Sequence, residues 1–271
     1  MDFIFDINGA LAALAWFSQA AGSLAVYLIA GVLPCFLWLL FYLARDKNPE
    51  PRQEIAKVFF LGALITAPAV GLQIFLINAI NSLGLPEIIA LLLANILAIA
   101  FIEEYAKYFA VWVREQAAQQ NRHLDEPVDF VTYMVVAALG FAAVENLLFL
   151  LPAVQDIFFT GNELLRAESA MFLVSLSLFR SLTAILLHTL CSGVMGYYMA
   201  MAFCRKKRQS GILARGFIIV SVLHGLYNFS IMKSEENSLL LFVPLFIIFA
   251  LAIALYQCFN RLLKMKSVCK F

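Results

Sequence analysis

Residues 238–260 read SLLLFVPLFIIFALAIALYQCFN, a stretch without a single Asp, Glu, Lys or Arg. A helix of about 20 such residues spans the roughly 30 Å hydrocarbon core of a bilayer. Six further stretches have similar length and character: 21–43, 56–81, 86–112, 129–152, 172–203 and 213–232. The sequence therefore predicts an all-α, polytopic transmembrane helical bundle with about seven spans, in one integral membrane domain that covers residues 1–271.

The composition agrees with a protein whose main solvent is lipid. Hydrophobic residues make up 63% of the chain and charged residues 14%, whereas ordinary soluble domains are about a quarter charged. The net charge is only +1, and no basic stripe with interleaved aromatic residues is present outside short loops. We therefore predict the lipid bilayer, and no nucleic acid, as a partner.

Positive residues are concentrated on one side of the predicted spans. Cytoplasmic loops of membrane proteins carry an excess of Lys and Arg. The first, third and fifth connections and the C-terminal tail hold fifteen of the 19 Lys and Arg, and the opposite side holds only Arg166 and Lys233. This predicts an N-terminus outside and residues 261–271 as a cytoplasmic tail. Residues 1–20 are predicted to form either an interfacial helix or an extra, eighth span.

The third span contains three ionisable residues, Glu103, Glu104 and Lys107, within five positions. Each costs about 2.5–3.5 kcal/mol at the bilayer centre and needs a partner, a water-filled cavity or a function. Lys107 lies one helical turn after both acids, so either can pair with it. The two acids are about 100° apart around the helix axis, so one is predicted to do chemistry while the other holds the helix. A purely structural ion pair is the alternative.

Spans four to six add further polar side chains. Glu145 follows several small residues, which permit close helix approach and direct a carboxylate into the bundle. His188 and His224 lie inside spans five and six, and Asn228 follows His224 by four residues, on the same helix face. For Arg180 we favour a structural role. The depths of these residues in their spans permit one shared site near the midplane of the bilayer.

This set of side chains is suited to hydrolysis of an amide bond. A buried carboxylate can take a proton from water, and a nearby His and Asn can stabilise the oxyanion. The same Glu and His side chains can instead hold a divalent metal such as zinc with an open water position. The residues alone leave both mechanisms open. They also leave open a proton- or ion-coupled transporter, which uses membrane Glu, Lys and His in proton relays.

Taken together, the motifs resemble those of the PrsW family of intramembrane proteases, which is related to the type II CAAX prenyl endopeptidases. The resemblance covers most of the chain. The matching motifs are Glu103-Glu104-x-x-Lys107, Phe141-x-x-x-Glu145, His188, His224-x-x-x-Asn228 and the loop Arg45-Asp46-Lys47-Asn48-Pro49-Glu50-Pro51.

The resemblance implies roles for these residues. Glu103 corresponds to the water-activating base and Glu104 to its partner, while His224 and Asn228 form the pair on the oxyanion side. Glu145 and His188 complete the reaction centre. Lys107, Phe141 and Arg180 are positioning or structural residues. If the enzyme depends on a metal, the expected ligands are Glu103, Glu145, His188 and His224.

The resemblance also implies a substrate and a setting. The expected activity is cleavage of a single-span membrane protein within or next to the bilayer of the bacterial inner membrane. In this family such regulated intramembrane proteolysis typically releases an anti-sigma factor and starts a stress response.

Overall fold

The computed structural model of the protein describes residues 7–44, 50–117, 126–159, 163–205 and 208–265. Within these ranges, residues 7–23, 117, 152–159, 163 and 166 are described by their backbone alone. Most of the loop 45–51 and residues 266–271 of the predicted tail lie outside the described residues. Every regular element of the described chain is helical, as the sequence predicts.

Seven segments of the described chain are long and apolar enough to cross a membrane. They are Leu24–Leu43, Arg52–Asn81, Glu87–Gln116, Asp129–Leu151, Ala167–Cys204, Gln209–Lys233 and Ser238–Met265. Each overlaps one predicted span. The prediction of an all-α protein with seven spans is therefore confirmed.

The first helix, α1, extends unbroken over Ile7–Leu43, a length of 37 residues. At 1.5 Å per residue it measures about 55 Å, well above the roughly 30 Å of the hydrocarbon core. Residues 7–20 therefore continue the helix of the first span and do not form a separate helix. Residues 1–6 lie outside the described part of the chain.

The second and third spans differ in regularity. Helix α2 occupies Arg52–Asn81, whereas the third span consists of α3 (Glu87–Leu93), a π-helical segment (Ala94–Ala100) and α4 (Phe101–Ala117). Short π-helical segments inside α-helices are frequently found at functional sites. This one ends three residues before Glu103.

The fifth span is two helices, although the sequence predicts one continuous segment over 172–203. Helix α6 (Glu163–Leu182) and helix α7 (Ala184–Cys204) meet at Thr183, whose φ of −122° and ψ of −78° are not helical. The Thr183 hydroxyl donates a hydrogen bond to the carbonyl of Phe179 at 2.8 Å. The predicted span is confirmed as Ala167–Cys204, and neither Gly nor Pro marks the break inside it.

Helix α5 (Asp129–Phe159) is the centre of the bundle and packs against α1, α2, α6 and α7. The small residues predicted to allow close approach do so on its α2 side. A Cβ atom at Gly140 would collide with the backbone of Phe59, and one at Gly62 with the backbone of Ala137. Because both backbones are this close, α2 and α5 hold their side chains at fixed depths relative to each other.

The last two spans complete the bundle. Helix α8 covers Gln209–Lys233, and a 3₁₀ turn (Ser238–Leu241) leads into α9 (Phe242–Met265). Helix α8 packs against α7, α4 and the π-helical segment, while α9 packs against α7 and α8. His224 on α8 therefore faces Glu103 and Glu104 of the third span.

Candidate active site

Glu104 and Lys107 form a buried ion pair at the centre of the bundle. Both side chains are completely buried, and Lys107 Nζ lies 2.8 Å from Glu104 Oε1 but 3.7 Å from Glu103 Oε2. Glu104 also accepts hydrogen bonds from Ser192 Oγ at 3.1 Å and from the His224 ring at 3.0 Å. Of the two acids, Glu104 is therefore the one that holds the third span to its neighbours.

Glu103 has one oxygen without a hydrogen-bond partner in the described part of the chain. Its Oε1 accepts from Gln73 Nε2 of α2 at 3.1 Å. Its Oε2 is buried and has no hydrogen-bond partner among the described residues. This oxygen lies 3.7 Å from each of Lys107 Nζ, His188 Nδ1 and His224 Nε2. An unpaired carboxylate oxygen in a buried site is costly unless a ligand or water uses it.

The proton position on His224 follows from its partners. A carboxylate can only accept hydrogen bonds, so the 3.0 Å contact of His224 Nδ1 with Glu104 Oε1 places the proton on Nδ1. In the neutral imidazole, the lone pair of Nε2 then faces Glu103 Oε2 across 3.7 Å. Two acceptors that face each other need a proton, a water or a cation between them.

The partners of His188 also determine which of its ring nitrogens carries the proton. Its Nε2 lies 2.8 Å from Glu145 Oε2, which can only accept, and its Nδ1 lies 2.7 Å from Lys107 Nζ, which can only donate. The imidazole is therefore the neutral tautomer with its proton on Nε2. The His188 and His224 rings are 5.1 Å apart, edge to face, and His188 Nδ1 and His224 Nε2 each lie 3.7 Å from Glu103 Oε2.

Glu145 is held behind His188 by Arg180. Arg180 Nη2 lies 3.0 Å from Glu145 Oε2, and its Nε donates to Asn146 Oδ1 at 2.7 Å. The guanidinium also lies over the ring of Phe149, 3.9 Å from the centroid. These three contacts hold the guanidinium in one position. Arg180 therefore holds the Glu145 carboxylate in place, and Glu145 in turn orients the His188 ring.

Phe141 packs against the buried ammonium group. Its ring centroid lies 4.9 Å from Lys107 Nζ and 6.1 Å from the His188 ring centroid. The Phe141 side chain is almost completely buried. A ring face at this distance attracts a cation, so Phe141 helps to keep Lys107 between Glu104 and His188.

A cavity of about 480 Å³ opens onto Glu103 and both histidines. Its walls come from α2, the π-helical segment and α4 to α8. The lining residues are Thr66, Val70, Gln73, Ile74, Ile77, Asn95, Ile99, Glu103, Phe141, Glu145, Leu148, Phe149, Leu176, Phe179, Arg180, Thr183, Ala184, Leu187, His188, His224, Tyr227, Asn228, Ile231 and Met232. Most of them are apolar, and Ile74, Phe149, Phe179 and Met232 are more than half exposed. The cavity is thus open to the surroundings of the bundle.

Comparison with known proteins identifies the family of the chain. Residues 50–255 match the family described as PrsW family intramembrane metalloprotease. The chain belongs to the PrsW family. Relatives named Protease PrsW include those of Oceanobacillus iheyensis, 27% identical over 85% of this chain and 93% of the relative, and Geobacillus kaustophilus, 28% identical over 76% and 80%. The Bacillus subtilis protein is 26% identical over 79% of this chain and 86% of its own length.

Membership of the PrsW family confirms the intramembrane protease predicted from the motifs, and the buried Glu and His cluster fits a protease site. The transporter alternative has no support in these comparisons. No solved structure matches the chain.

The structure brings the predicted PrsW site residues together. Glu103, Glu104, Lys107, Glu145, Arg180, His188 and His224 form one network of hydrogen bonds and ion pairs. Asn228 lies in the cavity wall one helical turn beyond His224. Glu145 was expected to be a metal ligand if the enzyme depends on a metal. It instead contacts His188 Nε2 and Arg180, and it is not in the group of possible ligands around Glu103.

Four polar residues of this PrsW site were not predicted. Gln73 contacts Glu103, Ser192 contacts Glu104, Asn146 contacts Arg180, and Asn95 lines the cavity. The sequence could have indicated Ser192, because it follows His188 by four residues and so lies on the same helix face. Single amides such as Gln73 and Asn95 in apolar spans carried no comparable signal.

The residues around Glu103 fit the metal that the family description implies. One ligand atom from each of Glu103, His188 and His224 lies within 4.8 Å of the other two, and Glu103 Oε2 has no hydrogen-bond partner among the described residues. Two imidazoles and one carboxylate match the ligand set of catalytic zinc sites. The other ring nitrogens contact Glu145 and Glu104, as is usual for metal-ligating histidines.

A second group, Glu104, Cys191 and His224, also has the spacing of a metal site. Glu104 already accepts hydrogen bonds from Lys107, Ser192 and His224. His224 Nδ1 carries the proton that one of these bonds uses. The group around Glu103 therefore fits a metal better.

Proposed function

We propose that the protein hydrolyses a peptide bond of a single-span membrane protein, with Glu103, His188 and His224 as its reaction centre. The observation that carries this proposal is the unpaired Glu103 Oε2, which lies 3.7 Å from a nitrogen of each histidine at the inner end of the cavity. A substrate carbonyl and a water that reach the inner end of the cavity meet these three groups.

Glu103 is the carboxylate that takes part in proton transfer. Both oxygens of Glu104 accept hydrogen bonds, and Glu145 Oε2 is held by Arg180 and His188. Among the buried carboxylate oxygens of the described residues, Glu103 Oε2 is the one without a hydrogen-bond partner. It takes a proton from the attacking water, and the Lys107 ammonium 3.7 Å away stabilises its negative charge.

His224 and Asn228 face the substrate carbonyl. Asn228 lies one turn from His224 on α8, and both line the cavity. The carboxamide of Asn228 donates a hydrogen bond to the oxyanion that forms on attack, and removal of such a donor typically costs about 10²–10³ in kcat. Glu104 keeps His224 in the orientation that this step requires.

The metal implied by the family would be held by Glu103, His188 and His224. When bound, a zinc ion polarises a carbonyl and lowers the pKa of water. Binding by all three groups requires Lys107 to leave His188 Nδ1, and its 2.8 Å contact with Glu104 remains available. With a metal present, Glu103 is a ligand and no longer a free base.

The setting of the reaction follows the sequence. We propose an N-terminus outside, a cytoplasmic C-terminus and a place in the bacterial inner membrane. An anti-sigma factor is the substrate class expected by analogy with the family, with a stress response as the outcome.

The test is cleavage of purified single-span membrane proteins by the protein reconstituted in liposomes. Glu103→Gln and His224→Ala are expected to lower the rate at least 100-fold, because each removes a group of the reaction centre. Cleavage by both variants at the wild-type rate would refute the proposed site. Extensive chelation in the same assay separates the two forms of the mechanism, since a bound metal predicts loss of activity that added zinc restores.

A further inference from the structure

We infer that Asn95 is a further substrate-binding residue. Its carboxamide oxygen accepts a hydrogen bond from a backbone N–H of the substrate, at most about four residues from the cleaved bond. The inference rests on the proposed function. It adds a binding position within the same cavity.

Asn95 has an unpaired polar atom in the cavity wall. Its side chain is 1% exposed, and its Oδ1 has no hydrogen-bond partner among the described residues. The amide nitrogen, in contrast, is used: it donates to the carbonyl of Leu91 at 2.9 Å and contacts Met232 Sδ at 3.5 Å. The amide group is thus fixed by its nitrogen, and its oxygen is left for something that enters the cavity.

A buried acceptor without a partner costs about 1–3 kcal/mol. Among the described residues, Glu103 Oε2 is the other fully buried side-chain acceptor of this cavity without a hydrogen-bond partner, and it lies at the reaction centre. Because Glu103 receives its proton from the attacking water, Asn95 is left to receive a donor from the substrate itself.

A membrane substrate supplies such donors. A peptide bond can be attacked only where the substrate helix is unwound, and unwinding frees backbone N–H groups that no water satisfies inside the hydrocarbon. An extended segment in the cavity therefore needs acceptors from the protein. The apolar residues that form most of the cavity wall offer none from their side chains, whereas Asn95 offers one.

The position of Asn95 determines how far its substrate residue lies from the cleaved bond. Asn95 contacts Met232, which follows His224 on α8 by eight residues, or about 12 Å at the helical rise. An extended chain advances about 3.3 Å per residue. The Asn95 backbone lies against Gly225, so this length is an upper limit, and the substrate residue at Asn95 is at most about four residues from the bond at His224.

The experiment uses a synthetic single-span peptide that the wild-type protein cleaves, with the cut mapped by mass spectrometry. Each backbone amide within six residues of the cut is replaced in turn by an ester, which removes one N–H. At one position, at most about four residues from the cut, the ester should raise KM about tenfold, equivalent to about 1.4 kcal/mol, with kcat almost unchanged.

The variant Asn95→Leu identifies the partner of that N–H. It should raise KM for the parent peptide about tenfold, and the ester at the sensitive position should have no further effect on this variant. If every ester affects Asn95→Leu and the wild type equally, Asn95 does not bind the substrate backbone, and the inference is wrong.

Thermal unfolding separates binding from a structural role. Asn146 is a matched control, since it is also 1% exposed but its Oδ1 accepts from Arg180 Nε at 2.7 Å. Asn146→Leu should lower Tm, whereas Asn95→Leu should leave it unchanged or raise it. An equal loss of Tm in both would overturn the inference. Failure of the wild type to cleave any peptide, or equal cleavage by Glu103→Gln, would instead contradict the proposed function.

Discussion

Adjacent glutamates in the third span have opposite environments. Glu104 is saturated by Lys107, Ser192 and His224, while Glu103 has an oxygen facing two imidazoles. The sequence predicts this division of labour, because neighbouring positions on a helix cannot face one point. It could not predict which partners each acid meets, since those partners come from other helices.

The two acids should therefore respond differently to loss of charge. Glu104→Gln leaves the fully buried Lys107 without its closest counter-charge, and breaking a buried pair typically costs about 3–5 kcal/mol. Glu103→Gln removes a more distant charge, at 3.7 Å, and should cost far less stability. Thermal unfolding in detergent measures the difference, and equal losses of Tm would contradict the proposed division.

Glu145 provides a test of the contacts behind the histidines. Glu145→Gln removes the negative charge that holds His188 Nε2 and pairs with Arg180. Loss of such a partner typically lowers metal affinity about 10–100-fold, and zinc titration of the purified protein measures it. Glu87→Gln is the control, because the Glu87 side chain is 90% exposed at the far end of the third span. Unchanged zinc affinity in Glu145→Gln would argue against this arrangement.

At the level of whole helices, hydropathy predicted the seven spans and missed their irregularities. The predicted single segment 172–203 is broken at Thr183, and the third span contains a π-helical segment at Ala94–Ala100. Neither has a Gly or Pro, so composition gave no sign of them. Both lie within two turns of a site residue, His188 or Glu103. A local hydropathy pattern cannot report such features, because they depend on packing between helices.

The contact between α2 and α5 depends on the absence of a side chain at Gly140. Gly140→Ala puts a Cβ atom into the backbone of Phe59, and overpacking of this kind typically costs about 1–3 kcal/mol. Gly71→Ala, on the same α2 helix but with nothing within 4 Å of the added Cβ, should be neutral or slightly stabilising. Thermal unfolding compares the two variants. A similar Tm in both would mean that the helices can separate at no cost.

For the molecule as a whole, the positive-inside pattern predicts orientation in the membrane. A single cysteine placed at Ser82, in the exposed connection before α3, should face outward. One placed at Gln209, at the exposed start of α8, should face the cytoplasm. A membrane-impermeant maleimide applied to intact cells should label Ser82→Cys and leave Gln209→Cys unlabelled until the membrane is opened. The reverse result would invert the proposed topology.

The buried pair in the third span has a consequence for how the protein is made. Synthesis proceeds from the N-terminus, so Glu103, Glu104 and Lys107 leave the ribosome before His188, Ser192 and His224 exist. Each ionisable group costs about 2.5–3.5 kcal/mol in an isolated helix at the bilayer centre. At that moment Lys107 can pair with Glu104 and Glu103 of its own helix, at 2.8 and 3.7 Å, and Gln73 of the earlier α2 can donate to Glu103. The ion pairs that organise the finished site thus also lower the cost of placing the third span in the membrane.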